Sequence, residues 1–323
     1  MVNISLERLL GVSETGLIAK QVGSRTLLAL PEAWVALELL TQDAAQHGFT
    51  LIPCSAFRSF AAQAAIVTAK FLGQRPILDK DEQPLNPIPT DPLARLQAIT
   101  LFSAMPGFSR HHFGSDFDIY APNLLPPGQA LQLTYHEYLP GSYFYELGLY
   151  LQENLARFGF ANPYLPPQPQ LHLSQPVLAP KQPKSHLPAS PQPKSHLPEQ
   201  AQLQVHAGSA LFLAHAAAMA AYTSTTPNKP TVGVTTTNVA MPSDATGSAL
   251  AFHHAAATGA SVQMGLEPWH ISHLASARPL VTAWDSEAAL EYVEHCDDLV
   301  FAPYIRALMT PERCQAMLQP QCC

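Results

Sequence analysis

The sequence predicts an α+β protein, on three observations. Segments with apolar residues at helical spacing recur, several opened by a capping residue or proline and closed by glycine. Between them lie short runs of strand length, "FTLIPCS" and "SDFDIY". A proline-rich stretch from about 165 interrupts the pattern, and more helix follows it. With 323 residues, 47% of them hydrophobic, the chain can bury the core of one large domain or two ordinary ones.

In chain order, "PEAWVALELLTQDAAQHG" (31–48) has proline at a helix start and Gly48 at its end. It feeds "FTLIPCS", which has the length of a buried strand. Ser59 can cap a helix, "FAAQAAIVTAKFLG", stopped by Gly73. A loop with prolines at 76, 84, 87, 89 and 92 leads into a short helix, "LARLQAITLFSA". "SDFDIY" alternates as a half-buried strand should. "YFYELGLYLQENLARFG" (143–159) reads as an amphipathic helix ending at Gly159. Beyond the insertion, Asp285 or Ser286 can cap "EAALEYVEHCDDLVFA", and Thr310-Pro311 opens a last short helix.

Eleven of the 36 residues from Pro163 to Pro198 are proline, and "QPKSHLPASP" is followed at once by "QPKSHLPEQA". Such a segment cannot form a hydrogen-bonded core and reads as an extended linker over 165–200. Its repeat is a plain spacer or a docking peptide for a protein partner's aromatic groove. Residues 201–262, rich in Ala, Thr, Ser and His, read as a small inserted lobe, or a loosely ordered insert, with one helix at 208–222. The flanks, 1–164 and 263–285, then form one discontinuous domain, with a helical extension at 286–323.

Composition excludes several classes. Charged residues make up 13% and the net charge is −7, so no basic run is available for nucleic acid. The five cysteines (Cys54, Cys296, Cys314, Cys322, Cys323) include no C-x-x-C pair, so neither a disulfide framework nor a thiolate zinc knuckle is expected. The most apolar window, Val205 to Tyr222, is alanine-rich with two histidines and makes a poor membrane span. No signal peptide is visible in "MVNISLERLLGVSETGL". The expectation is a soluble, cytoplasmic protein, or an envelope one if the chain is exported.

Three motifs carry chemistry. "PGFSRHHFGSDFDIY" places His111, His112, Asp116 and Asp118 around a glycine turn, either as metal ligands or as a polar loop. Imidazole and carboxylate are the ligands of hydrolytic zinc sites, which keep one position open. "EPWHISH" sets Glu267 three residues before His270, so that one can ligate while the other takes a proton. "SAFRSFAAQ" puts Arg58 between strand and helix, where a fixed cation can meet an oxyanion.

Together, S-x-x-R-S-x-x-x-Q, P-G-x-S-x-H-x-x-G-x-x-x-D and E-x-W-H, in that order, resemble the zinc D-alanyl-D-alanine carboxypeptidases and dipeptidases. That family includes the vancomycin-resistance type and belongs to the lysostaphin/D-Ala-D-Ala peptidase/hedgehog superfamily. The resemblance covers roughly 30–164 and 265–275. It implies one zinc ion per chain held by His111, Asp118 and His270, with Glu267 as general base and acid. Arg58 would steady the carbonyl oxygen and Ser109 would contact substrate. By register His111 fits the motif, whereas His112 and Asp116 do not. The implied fold is a set of N-terminal helices on a small, mainly antiparallel sheet with the zinc site at its edge. The implied reaction is hydrolysis near the C-terminus of peptidoglycan stem peptides. A non-catalytic zinc-stabilised binding module and an endopeptidase or amidase of the same superfamily are the alternatives. The family's "GF–PY" segment usually leads directly to E-x-W-H, whereas here about a hundred residues intervene.

Overall fold

A computed structural model describes residues 4–165 and 264–318. Apart from residue 165, the expected linker (165–200) and inserted lobe (201–262), with its helix at 208–222, lie outside the described residues. The chain opens with a one-turn helix α1 (Leu6–Leu9), then a hairpin of β1 (Ile18–Val22) and β2 (Arg25–Ala29). Val22 pairs with Arg25 across a two-residue turn in which Gly23 takes φ 59°. Helix α2 (Pro31–Gln46) begins on its proline and ends before Gly48. Strand β3 (Ile52–Ser55) runs into α3 (Phe60–Phe71), whose first turn is capped by the Ser59 hydroxyl accepting from Ala62 N–H.

Helix α4 (Pro92–Ile99) is shorter than the spacing predicts. Tertiary partners replace its continuation: the Leu101 carbonyl accepts from Gly265 N–H at 2.7 Å and the Ala104 carbonyl from Gln63 Nε2 at 2.6 Å. Strand β4 (Asp116–Tyr120) and α5 (Tyr145–Asn154) follow, then a 3₁₀ turn to Gly159 and the two-residue β5 (Phe160–Ala161). After the insertion come β6 (His270–His273) and α6 (Leu274–Ala283). Helix α7 (Ser286–Glu294), capped by Asp285, stops before the acidic pair Asp297-Asp298, which a helix C-terminus disfavours. A short α8 (Ile305–Leu308) and α9 (Pro311–Leu318) complete it.

The main sheet is wholly antiparallel in the order β3-β4-β6-β5. The expectation of a site at the sheet's edge is corrected here, because β4 and β6 are its central pair. Side chains alternate across a strand, so the register Asp116↔Ser272, Phe117↔Ile271, Asp118↔His270 gives the pair two unlike faces. Phe117, Ile119 and Ile271 enter a cluster with Trp34, Leu37 and Leu40 of α2 and Leu147 and Leu151 of α5. Asp116, Asp118, His270 and Ser272 share the opposite face. That face is also covered, so β4 is buried along its whole length rather than half-buried. Arg110, Tyr164 and the end of α9 close over it, and beyond them lies a second cluster joining Val67, Leu96, Val293, Phe301, Ile305 and Met317.

Candidate active site

The P-G-x-S-x-H motif folds as a 3₁₀ turn, Arg110–Phe113, closed by Gly114 at φ 68°. Only a residue that accepts positive φ can reverse the chain there into β4. The turn sets His111 on the sheet's polar face beside Asp118, and antiparallel pairing brings His270 opposite Asp118. Ligand atoms of His111, Asp118 and His270 lie within 4.8 Å of one another, all three residues being buried.

Hydrogen bonds behind the two rings decide which nitrogens face inward. His111 Nδ1 donates to the Ala56 carbonyl at 2.7 Å, which turns Nε2 toward Asp118 Oδ2 at 3.3 Å. His270 Nε2 meets Asp116 Oδ2 at 3.0 Å, which turns Nδ1 toward Asp118 Oδ1 at 3.2 Å. Asp118 Oδ1 is buried with no donor to satisfy it. His111 Nε2, His270 Nδ1 and the Asp118 carboxylate thus converge on one point. This set could hold a divalent cation, and two nitrogens plus a carboxylate suit zinc. Burial alone would raise the Asp118 carboxyl, but His111 and His270 hold it well below the usual carboxylate range.

Glu267 arrives on a tight turn in which its own carbonyl accepts from His270 N–H at 3.0 Å and Asn162 Nδ2 at 2.9 Å. Its carboxylate stands 3.6 Å from His270 Nδ1 with 13% of the side chain exposed. Burial pushes it up to about 7, against the attraction of His270. Arg58 leaves β3 at the other side. Its guanidinium donates to Gln63 Oε1 (2.9 Å) and Ser55 Oγ (3.2 Å) and lies 3.8 Å from Asp118 Oδ2. Ser109 is buried at the head of the 3₁₀ turn and its side chain makes no capping bond there. Trp269 packs inward against Tyr138.

The motif register sets Asp116 and His112 aside together, and the structure separates them. His112 accepts from Gly107 N–H (3.0 Å) and donates to the Arg58 carbonyl (2.6 Å), a structural pin that burial keeps neutral with its pKa down at about 3. Asp116 instead touches His270. The signal was present in S-D-F-D and H-I-S-H, where strand alternation puts Asp116 and Ser272 on the face of Asp118 and His270.

Residues 28–174 match the family model for VanY, D-alanyl-D-alanine carboxypeptidase. The matched segment supplies Arg58, His111 and Asp118, while Glu267 and His270 reach the site from outside the matched residues. An uncharacterized protein of Haemophilus influenzae (strain ATCC 51907 / DSM 11121 / KW20 / Rd) is 54% identical over 57 residues, 18% of this chain and 44% of that one. The chain spans about half the length of the curated relatives it matches. Among solved structures, VanYB in complex with D-alanine-D-alanine is 21% identical over 46% of this chain and 67% of that chain, with a TM-score of 0.34. The LdcB LD-carboxypeptidase is 19% identical over 47% and 59%, with a TM-score of 0.32.

Proposed function

We propose that the protein is a zinc-dependent peptidase that hydrolyses the bond before the C-terminal residue of peptidoglycan stem peptides ending in D-Ala-D-Ala. The observation that carries this reading is the cluster of His111 Nε2, Asp118 and His270 Nδ1 with the partly exposed Glu267 carboxylate at its rim. The VanY family match supports the substrate class.

Zinc held by these three residues would supply Lewis acidity to water and to the substrate carbonyl. Glu267, with its carboxyl at about 7, can take a proton from water and return it to the leaving amine. Arg58, fixed by Gln63 and Ser55, offers a preorganised cation to the carbonyl oxygen as negative charge develops. Lys70, whose ammonium donates to Ser103 Oγ at 2.8 Å, adds positive charge felt at Glu267 and Arg58, which suits a substrate with a free carboxylate.

Metal content and turnover on a D-Ala-D-Ala pentapeptide test the reading. One zinc per chain is expected, lost in His111→Ala. Glu267→Gln should keep the zinc and lower kcat by about 10²–10⁴. Zinc without turnover on any stem peptide would refute the peptidase and leave a zinc-stabilised binding module. No zinc would refute the site.

A further inference from the structure

Asp116 is fully buried and every polar contact it makes is strong. Oδ2 accepts from Arg110 Nε at 2.7 Å and meets His270 Nε2 at 3.0 Å, while Oδ1 accepts from Ser115 Oγ at 2.5 Å and Ser272 Oγ at 2.9 Å. Arg110 is 1% exposed, and its other two nitrogens donate to Ser272 Oγ at 2.6 Å and to the Leu318 carbonyl at the end of α9. An ion pair this deep gains little net stability, because both charges lose their water. Plain packing could fill the same space, so the pair calls for another role.

Its placement indicates that role. Arg110 immediately precedes His111, Asp116 lies two residues before Asp118, and Ser272 lies two after His270. Each element carrying a member of the inner cluster therefore contributes one member of this outer one. The two histidines are also held differently. A backbone carbonyl orients His111, whereas the Asp116 carboxyl group orients His270. A carboxylate behind an imidazole fixes its tautomer and makes the opposite nitrogen a better donor to metal.

We propose that Asp116, held by Arg110, is the positioning residue of the metal site, keeping the His270 proton on Nε2 and the Nδ1 lone pair turned toward Asp118. This inference rests on the zinc reading above, and its test separates the two. In full-length, zinc-loaded protein with ¹⁵N-labelled histidine, long-range ¹H–¹⁵N correlations assigned against His270→Gln should show His270 protonated at Nε2 alone. The paired variant Arg110→Met/Asp116→Leu removes both buried charges together, so neither is left unpaired. It should unfold cooperatively, show mixed His270 tautomers and bind zinc about 10–100-fold more weakly. A His270 protonated at Nδ1 in the unaltered protein overturns the inference without any variant. Zinc bound equally tightly by wild type and paired variant overturns it too, and leaves the peptidase reading standing. Wild-type protein that binds no zinc overturns the peptidase reading, and this inference with it.

Discussion

At the scale of single residues, Glu267 shows the cost of holding a carboxyl group largely out of water. Its carboxyl titrates at about 7 in the metal-free fold, against an ordinary 4.5. Between about pH 4.5 and 7 the folded state therefore holds a proton that the unfolded chain has released, so this group's contribution to stability is most favourable below about pH 4.5 and declines as pH rises toward 7. Glu267→Gln should stabilise the metal-free protein by up to about 3 kcal/mol above pH 7, and hardly at all near pH 4. Denaturant titrations at the two pH values check this, and an equal difference at both would contradict it. The same substitution is the one expected to lower kcat, so under the proposed mechanism stability and turnover would trade against each other at this position. Glu267, His111, Asp118 and His270 could be singled out because they sit in motifs with fixed spacing. Asp116 was set aside by that register, and its contact with His270 follows only from strand alternation once β4 and β6 are paired.

At the scale of elements, legibility followed locality. Pro31, Ser59 and Gly48 act on the turn they occupy, and α2 and α3 formed where these residues placed them. The β1–β2 hairpin went unread because β1 is largely exposed and β2 sends only Leu27 and Ala29 into the core, too short an alternation to stand out in the sequence. Strand β6 is four residues long inside a motif read for its chemistry, and α6 contains Pro279, which argues against helix in any sequence reading. Two element-level predictions follow from caps and turns. Asp285, which accepts from Glu287 and Ala288 N–H, should cost about 1 kcal/mol when changed to alanine, measured by chemical denaturation. Gly114→Ala should cost more, since a Cβ there meets Leu17 Cδ2 at 2.5 Å on a backbone with φ 68°. It should also weaken zinc binding, by shifting His111 against Asp118, and unchanged zinc affinity would refute that link.

At the scale of the molecule, the helices after residue 286 share one hydrophobic cluster with α3 and α4. Phe301 has no exposed surface, and Phe301→Ala should cost about 3–5 kcal/mol while lowering the unfolding midpoint of the whole protein in one transition. A separate early transition for the C-terminal region would show that the cluster is not shared. No helix among the described residues is long and apolar enough to cross a membrane. The pairing of β4 with β6 has a consequence in time as well as space. Asp116 and His270 are 154 residues apart, and closing a loop that long is entropically costly and slow compared with forming the helices. As the chain is synthesised, His111 and Asp118 emerge long before the strand that completes their set. Metal capture would thus mark the end of folding rather than its beginning. A chain broken between the two strands could keep every matched residue of the family and still be unable to assemble its site.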